Sequence, residues 1–445
     1  MKISFVSLGC DKNLVDSEVM LNLLQKAGFK LIPNEEEADI LVVNTCCFIQ
    51  DAKEESIENI LELAQYKKIG NCKVLIVTGC MAERYKDEIL SEIPEVDAIV
   101  GTASYGNIVE VVNEAIKGKK VKNFSDINSK LEENYERILS TAGYFAYLKI
   151  AEGCDNRCTY CIIPKLRGNY RSRSIESIVK EAESLVNQGV KEIILVAQDT
   201  TRYGIDLYGE KKLPQLLEEL CKIEDLHWIR LLYCYPEEIT DELIEVIAKE
   251  EKICNYLDMP IQHANTNVLK RMGRRSTKEE LEALIKRLRD KIPDICLRTT
   301  LIVGFPGETE EEYKDLVEFV KEMQFNRLGV FTYSKEEGTV AAEMKGQLPK
   351  KIKEDRRNKI MEIQQSICEN KSKEFIGKTL EVIVDGKLPE ENVYCGRTYL
   401  DAPDVDGMVF IKTEREILSG ELVKVLINGA KEYDLIGEIV DEFGQ

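Results

Sequence analysis

The chain has 445 residues, with 61 Lys and Arg against 80 Asp and Glu and a net charge of −19. Its length predicts about three domains, and a hydrophobic fraction of 44% supplies the side chains for more than one core. The acidic balance argues against a protein that coats nucleic acid, because phosphate binding depends on clustered Lys and Arg. An excess of acid favours basic partners instead.

The 14 cysteines and only two histidines restrict the kind of metal site that the chain can build. The first seven residues read as the start of a strand rather than as a secretory signal, and no run approaches the roughly 18 apolar residues of a membrane helix. We therefore expect a cytoplasmic protein without membrane association, in which closely spaced cysteines bind metal rather than form disulfides. Zinc sites that mix Cys and His have few imidazoles to draw on, so the composition points to iron–sulfur clusters.

Strand and helix patterns alternate over residues 1–120. Strands are predicted at 3–7, 40–44, 74–78 and 98–100, each followed by an amphipathic helix. This alternation predicts an α/β domain with a parallel sheet, and ligands of such sheets bind beyond the carboxyl ends of the strands. Cys10, Cys46 and Cys80, here called the strand-end cysteines, follow the first three of these strands. Buried apolar thiols are the alternative, but three equivalent positions converge on one edge and favour a shared ligand site.

A charged stretch at 119–139 is interpreted as a linker, after which the alternation resumes. Strands are predicted at 145–150, 192–196, 228–233, 256–260, 296–303 and 327–333. Six such units in about 200 residues predict a partial (β/α)6 barrel, because a full eight-unit barrel typically needs about 250 residues. A helical connector at 350–375 leads to short alternating strands over 379–445, which predict a small β-barrel. This last segment has 6 Lys and Arg against 15 Asp and Glu, a net charge of −9.

Cys154, Cys158 and Cys161, here called the loop cysteines, form the pattern C-x₃-C-x₂-C after the first strand of the second domain. Iron–sulfur clusters usually take four cysteines, so three thiolates on one loop can hold a cubane cluster and leave its fourth iron open to substrate. A zinc knuckle is the alternative interpretation. The spacing, with the aromatic Tyr160 before the third cysteine, is typical of the radical S-adenosylmethionine (SAM) superfamily.

The motifs around these cysteines resemble the methylthiotransferase branch of that superfamily. This resemblance rests on CIIP (161–164), RG (167–168) and RSR (171–173). The type that modifies a ribosomal protein (RimO type) is indicated by LGCDKNLVDSE (8–18), NTC (44–46), TGC (78–80), AQDTT (197–201), LDMPIQH (257–263) and VGFPGET (303–309). The sequence departs from the family at Asp11, where Pro is usual, and at Cys47, where Gly is usual. Cys47 places a second thiol beside Cys46, and we choose Cys46 as the ligand.

The resemblance implies an α/β fold of three domains. These are an N-terminal methylthiotransferase domain with a parallel sheet (1–120), a radical SAM domain built as a partial barrel (140–370) and a small β-barrel of the TRAM type (373–445). The loop cysteines would hold a catalytic four-iron–four-sulfur cluster that binds SAM, and the strand-end cysteines would hold an auxiliary four-iron–four-sulfur cluster. No catalytic residues beyond these cluster ligands are expected.

The implied reaction is the insertion of a methylthio group into an unactivated carbon–hydrogen bond. Reductive cleavage of SAM would give a 5′-deoxyadenosyl radical that removes hydrogen from the β-carbon of an aspartate in small-subunit ribosomal protein number twelve. Sulfur bound at the auxiliary cluster and methylated by a second SAM would complete 3-methylthioaspartate. The cofactor supplies the difficult step, while the protein positions the radical and excludes water.

Residues at the carboxyl ends of barrel strands face the active site in this architecture. On that basis the candidates for SAM contacts are Tyr160, Gln198, Gln262, Arg298, Gly304 and Gly307. Tyr160 would flank the adenine, with core packing as the alternative, and the two glycines could equally form a tight turn before a helix. The basic residues near the loop cysteines are interpreted as local rather than RNA-binding; they are Arg157, Lys165, Arg167, Arg171 and Arg173.

Two other functions remain as alternatives. A tRNA methylthiotransferase (MiaB type) has the same clusters but acts on isopentenyl-adenosine, and its TRAM-type barrel should be basic or neutral. The charge of −9 here instead repels phosphate and suits a ribosomal protein rich in Lys and Arg. A non-enzymatic iron–sulfur electron carrier would gain nothing from an open iron. Besides the ribosomal protein, the expected partners are a low-potential electron donor of the flavodoxin or ferredoxin type and a sulfur source, without stable nucleic-acid binding.

Overall fold

The N-terminal sheet is parallel and has the strand-end cysteines at its carboxyl edge. The computed structural model describes residues 1–133, 135–389 and 391–440. Six strands pair in the order β2-β1-β3-β4-β5-β6, all in parallel. The strands are β1 (Lys2–Ser7), β2 (Lys30–Leu31), β3 (Ile40–Thr45), β4 (Val74–Gly79), β5 (Ala98–Val100) and β6 (Val121–Asn123). The helices are α1 (Asp11–Lys26), α2 (Gln50–Ile69), α3 (Cys80–Tyr85), α4 (Asp87–Glu92) and α5 (Ile108–Ile116).

The central strands of this sheet are buried on both faces, which confirms the predicted α/β layering. β3 reads ILVVNT and β4 reads VLIVTG, and every residue of both strands is buried. Continuous apolar runs of this kind are typical of parallel strands covered by helices on both sides. The edge strands β2 and β6 were not among the four predicted strands. They have only 2 and 3 residues, too few for a periodic pattern to show.

The second sheet is the predicted partial barrel. Six parallel strands pair in the order β14-β13-β12-β11-β10-β7, and β8 pairs with β9 as a separate antiparallel ribbon. The strands are β7 (Phe145–Lys149), β8 (Ala151–Glu152), β9 (Arg171–Ser172), β10 (Glu192–Val196), β11 (Trp228–Leu231), β12 (Ile253–Asp258), β13 (Cys296–Val303) and β14 (Arg327–Thr332). The helices are α6 (Ile163–Arg167), α7 (Ile175–Asn187), α8 (Ile205–Tyr208), α9 (Leu213–Cys221), α10 (Asp241–Lys249), α11 (Thr266–Arg271), α12 (Lys278–Lys291) and α13 (Glu310–Met323).

Local sequence signals fix the starts of the outer helices. Thr277 is the N-cap residue of α12 and Thr309 is that of α13. Each has a Glu three residues later, and both form complete capping boxes. A capping box satisfies backbone N–H groups that the first turn of a helix leaves without partners. Thr309 is also the last residue of the VGFPGET motif, so this motif ends where α13 begins.

The C-terminal strands close into the predicted small barrel. The long helix α14 (Lys350–Lys373) leads into it, and the strands pair in the order β15-β16-β17-β19-β18. They are β15 (Thr379–Lys387), β16 (Val393–Arg397), β17 (Val409–Lys412), β18 (Leu422–Lys431) and β19 (Asp434–Ile439). Across the described parts of the chain, we find no helix with the length and apolar character needed to cross a membrane.

The small barrel is attached to the second sheet by buried ion pairs. Arg230 of β11 is fully buried, with its Nε 2.7 Å from Glu192 Oε1. Its other guanidinium nitrogens donate to the carbonyls of Tyr399 (2.6 Å) and Thr398 (3.2 Å), in the loop that follows β16. Arg397 at the end of β16 reaches Glu192 Oε2 at 2.7 Å. Glu192 therefore joins an arginine of each domain.

Replacing Arg230 by Met is expected to destabilise this junction. Breaking a buried ion pair from one side costs about 3–5 kcal/mol. In Arg230→Met, Glu192 would keep only Arg397 as a partner, and the two carbonyls would lose their donor. Urea denaturation followed by circular dichroism, together with proteolysis of the C-terminal barrel, would measure the loss. The matched control is Arg415→Met, which removes an exposed ion pair with Glu421 and should cost under about 1 kcal/mol. Equal losses in the two variants would contradict the role of Arg230.

Candidate functional site

The loop cysteines lie between β8 and α6. Cys154 and Cys158 are buried and Cys161 is half-buried. The Cys161 amide donates to the carbonyl of Cys158 at 3.1 Å, which curls the loop back on itself. Gly153 precedes the loop with a φ of +77°, and a Cβ there would lie 2.0 Å from the carbonyl oxygen of Asn169. Only glycine permits this close approach.

Burial raises the pKa of two of the three loop thiols, Cys154 and Cys161. Burial raises the pKa of Cys154 to about 12. Burial, and then the neighbouring Cys158, raises the pKa of Cys161. Metal binding deprotonates such thiols, since the thiolate is the ligand form. The raised pKa values alone would also fit neutral core thiols, and it is the close spacing of three cysteines in one loop that suits a metal cluster.

The structure also brings the strand-end cysteines together, as expected from their positions after β1, β3 and β4. Cys10 caps α1, Cys46 follows β3 and Cys80 is the first residue of α3. Burial, with the nearby Cys80 and Cys10 thiols, raises the pKa of Cys46 to about 12. Gly9 allows the approach, because a Cβ there would lie 2.6 Å from the Cys46 Cβ. The sheet edge thus holds a second group of three thiols.

Cys46 and Cys47 have different surroundings. Cys46 is influenced by both Cys10 and Cys80. After burial, the largest influences on the pKa of Cys47, which is raised, are Cys80 and the guanidinium of Arg84. Cys47 is fully buried and packs in the apolar core on one side of the sheet. Cys46 is therefore the better placed of the two to share a ligand with Cys10 and Cys80.

Each group offers three free thiols, one fewer than the four cysteines that an iron–sulfur cluster usually takes. Among the residues that the structure describes, no three Cys, His, Asp or Glu side chains are close enough together to hold one metal ion. All 14 cysteines, each within the described ranges, are free thiols. The donor set in both groups fits an iron–sulfur cluster with one iron left without a protein ligand.

A buried network of charges lies between the two groups. Lys149 at the end of β7 pairs with Asp16 of α1 and lies 2.9 Å from Glu152, which precedes the loop cysteines. Arg167 of α6 lies 2.8 Å from Asp16 and 2.9 Å from Glu152. Two cations and two carboxylates are thus buried together where the first domain meets the second. Arg167 is among the basic residues interpreted as local, but the sequence did not indicate that it contacts the first domain.

Two of the candidate SAM residues have unpartnered buried oxygens. Gln198, two residues after β10, donates from Nε2 to Glu152 at 2.9 Å, and its Oε1 is buried without a hydrogen-bond partner. Gln262, beyond β12, has a left-handed backbone with φ of 69°, and its Oε1 is likewise buried and unpartnered. Buried polar atoms are normally hydrogen-bonded. These two carbonyls are therefore ready acceptors for a ligand.

The other SAM candidates differ in how far their polar groups are engaged by the protein. Burial raises the pKa of Tyr160, which lies beside Cys158 and Arg274. Arg298 pairs with Asp258 at 2.8 Å and with Asp406 of the small barrel at 3.4 Å.

The VGFPGET turn is likewise held by internal hydrogen bonds. The Gly304 amide donates to Glu308 Oε2 at 2.7 Å, and the Gly307 amide donates to the Gly346 carbonyl at 2.8 Å. The amides of both glycines are therefore occupied by the protein.

Three family descriptions match consecutive parts of the chain. They are the Uncharacterized protein family UPF0004 over residues 2–101, the Radical SAM superfamily over residues 148–320 and the TRAM domain over residues 376–440. Among solved structures, the radical S-adenosylmethionine methyltransferase TsrM from Kitasatospora setae matches with a TM-score of 0.55 and 16% identity, over 74% of this chain and 72% of that chain. This likeness shows a shared fold.

Curated relatives match over nearly the whole length. The ribosomal protein uS12 methylthiotransferase RimO of Lachnoclostridium phytofermentans is 59% identical over 437 residues, which cover 98% of this chain and 99% of that protein. The protein of the same name from Clostridioides difficile is 53% identical over 442 residues, 99% of each chain. The resemblance inferred from the cysteine motifs is confirmed, and the chain belongs to the ribosomal protein uS12 methylthiotransferase (RimO) family of the radical SAM superfamily.

Proposed function

We propose that the protein is a radical SAM methylthiotransferase that inserts a methylthio group at the β-carbon of an aspartate in ribosomal protein uS12, giving 3-methylthioaspartate. The observation that carries this proposal is the presence of two sets of three cysteines, the strand-end cysteines and the loop cysteines. One group comes from the edge of the first sheet and the other from a loop of the second, and both adjoin the same buried charge network. A reaction that joins a radical step to a sulfur donor needs two such centres side by side.

Each group of thiols would hold one four-iron–four-sulfur cluster. The loop cysteines would hold the cluster that binds SAM, and the strand-end cysteines would hold the auxiliary cluster, with Cys46 rather than Cys47 as the ligand. When bound, these clusters and SAM supply the reductive cleavage that generates a carbon-centred radical and the sulfur that is inserted. The chain itself contributes the burial of four of the six ligand thiols and the exclusion of water around them; these four are Cys46, Cys80, Cys154 and Cys158.

Gln198 and Gln262 are proposed to orient SAM. Their free carbonyl oxygens can accept hydrogen bonds from the amino group or the ribose hydroxyls of SAM, and nothing else in their surroundings satisfies them. Tyr160, beside the loop cysteines, would pack against the adenine. Arg298, Gly304 and Gly307 would shape the wall of the SAM site. The Arg298 guanidinium and the two glycine amides already bond to the protein.

The charge of the small barrel supports a basic protein substrate over tRNA. Three of its acidic residues pair internally with arginines near the second sheet; they are Asp385, Asp401 and Asp406. Without these three and the buried Arg397, the segment 379–445 still has 5 basic and 12 acidic residues, a charge of −7. Such a surface attracts Lys- and Arg-rich partners and repels phosphate.

The remaining features of the proposal concern organisation and partners. We assign 1–120 to the methylthiotransferase domain, 140–370 to the radical SAM domain and 373–445 to the TRAM-like barrel. A flavodoxin or ferredoxin would deliver the low-potential electron, and a separate sulfur source would replenish the auxiliary site. The cytoplasm, where ribosomes are assembled, is the expected location.

An anaerobic assay that offers two substrates tests this function. The iron-reconstituted protein is incubated with SAM, sulfide and a reductant, with ribosomal protein uS12 and bulk tRNA in parallel, and each product is read by mass spectrometry. We expect a methylthio group on an aspartate of uS12 and none on tRNA. The same group on a tRNA adenosine would overturn the substrate but keep the chemistry. No 5′-deoxyadenosine at all would favour an electron carrier instead.

A further inference from the structure

The loop that follows β14 reaches the first domain through a buried glutamate. Glu336 is only 2% exposed, and its Oε2 lies 3.0 Å from Lys53 Nζ of α2 and 2.9 Å from Arg84 Nη1 of α3. Although burial opposes ionisation, hydrogen bonds from Ser334 and from these two cations lower the pKa of Glu336, so its carboxylate is charged. Arg84 Nη2 also donates to the Glu337 carbonyl of this loop at 3.0 Å. The loop is thereby joined to two helices of the first domain.

The same loop links the backbones of the two cysteine segments. On the side of the first domain, Arg84 Nη1 donates to the Cys47 carbonyl at 3.1 Å, and Cys47 directly follows Cys46. On the side of the radical SAM domain, the Ala341 amide donates to the carbonyl of Thr159, within the loop cysteines, at 2.8 Å. One short stretch of chain therefore holds the turn after β3 and the loop of the second domain in relation to each other.

The contact with Glu336 and the buried charge network attach opposite faces of the first sheet. Side chains alternate between the two faces of a strand. The odd-numbered residues of β3 and β4 pack in one core with Ile60 of α2 and Met81 of α3, and the even-numbered residues pack in another with Met20 of α1. Asp16 of α1 belongs to the charge network. Attachment on both faces resists rotation of the sheet about the edge at which the strand-end cysteines lie.

We propose that Glu336 is a positioning residue, which holds α2 and α3 against the radical SAM domain and so fixes the turn that carries Cys46 in relation to the loop cysteines. The inference rests on the function proposed above, because the two groups of cysteines must stay side by side for sulfur to reach the substrate radical. A displacement of about 1 Å can cost about a hundredfold in rate. Loss of the contact should therefore lower methylthio transfer, while SAM cleavage, which uses the loop cysteines alone, continues.

Hydrogen–deuterium exchange followed by mass spectrometry tests this inference on the full-length protein reconstituted with iron and sulfide. Glu336→Gln removes the negative charge with little change in shape and leaves two buried cations without their carboxylate. Breaking a buried ion pair from one side is strongly destabilising, and amides exchange through local opening. We therefore expect exchange at least about tenfold faster in 44–56 and 80–85, here called the α2 and α3 segments. Exchange in α1 and in the small barrel should stay as in the wild-type protein.

The ratio of products is a second readout, which a purely structural role would not change. With SAM, sulfide, a reductant and uS12, the yield of 3-methylthioaspartate per 5′-deoxyadenosine should fall by about ten- to a hundredfold in Glu336→Gln. Lys53→Met removes one cation and keeps the pair of Glu336 with Arg84, so we expect faster exchange in the α2 segment only and a smaller fall in the ratio. If Glu336→Gln does not fold, Lys53→Met decides by the same two measurements.

The matched control is Glu238→Gln. Glu238 is also buried, and it pairs with Arg202, Lys211 and Arg275, which all lie within the radical SAM domain. Its replacement should leave exchange in the α2 and α3 segments and the product ratio at their wild-type values. Wild-type exchange in these segments of Glu336→Gln would overturn the proposal. Faster exchange in every domain, or a product ratio that does not fall, would overturn it as well.

The outcome is separable from that of the proposed function. A failure of the function appears in the wild-type protein, as the absence of 3-methylthioaspartate from uS12. A failure of the inference appears as the lack of a difference between the wild-type protein and Glu336→Gln. Because exchange is measured without a substrate, faster exchange confined to the α2 and α3 segments of a protein that modifies neither uS12 nor tRNA would keep the contact and remove the function.

Discussion

Replacing Cys154, Cys158 and Cys161 together by Ala should abolish SAM cleavage while leaving about half of the iron. The loop cysteines would hold one of two separate clusters, and the other would be held by thiols after β1, β3 and β4. The first sheet builds its ligand site from its own strand ends, so the loss of the loop ligands removes one cluster only. Iron analysis and assay of 5′-deoxyadenosine after anaerobic reconstitution measure the two effects.

The control for this triple variant removes three thiols that belong to neither group. Cys72, Cys221 and Cys254 are free and lie in or beside the apolar cores. Their replacement by Ala should keep all of the iron and the cleavage activity, at a modest cost in stability from lost packing. Loss of all iron from the loop variant would contradict the picture of two independent clusters.

Local sequence signals predicted where the two groups of cysteines lie in the fold. The loop cysteines lie within eight positions of one another, so their convergence requires only one turn of chain. The strand-end cysteines are far apart in sequence, but parallel strands align their carboxyl ends, and alternating patterns predicted the strands. Both groups therefore followed from periodicity and spacing without knowledge of side-chain packing.

The features that sequence did not predict depend on contacts between domains. Arg298, a candidate for SAM contact, bonds Asp258 and Asp406, and Asp406 comes from a loop of the small barrel that is more than 100 positions away. Arg167 reaches Asn13 and Asp16 across a similar separation in sequence. No local pattern specifies which face of one domain meets another. The position of Arg167 close to the cysteine motif is the signal from which a contact with the first domain could have been predicted. From sequence alone, this arginine is interpreted as local.

The position of Arg298 also bears on how the domains work together. The loop that follows β16 of the small barrel supplies a carbonyl and two carboxylates to arginines of the second sheet. These arginines are Arg230, Arg298 and Arg327. The small barrel is therefore fixed against the radical SAM domain by three buried or half-buried arginines of that domain.

Replacing Cys46 by Ala should remove the iron of the auxiliary cluster and abolish methylthio transfer, while SAM is still cleaved. The thiols of Cys10 and Cys80 are both close enough to Cys46 to raise its pKa. Cys47 instead packs in the apolar core beside Arg84. Cys47→Ala is the matched variant, since it removes an equal volume one residue along the chain. It should retain both clusters and both activities and lose only about 1 kcal/mol of stability from the small cavity.

Three measurements on the same preparations show which of the two thiols is the ligand. They are the iron content, the yield of 5′-deoxyadenosine and the yield of 3-methylthioaspartate. If Cys47→Ala lost the auxiliary iron and Cys46→Ala kept it, the ligand would be the residue at which this sequence departs from its family. The turn after β3 would then have to rotate to bring Cys47 out of the core, at the expense of its apolar contacts with the sheet. Since the observed turn already directs Cys46 toward Gly9 and the other two thiols, no such rotation is needed for Cys46 to bind.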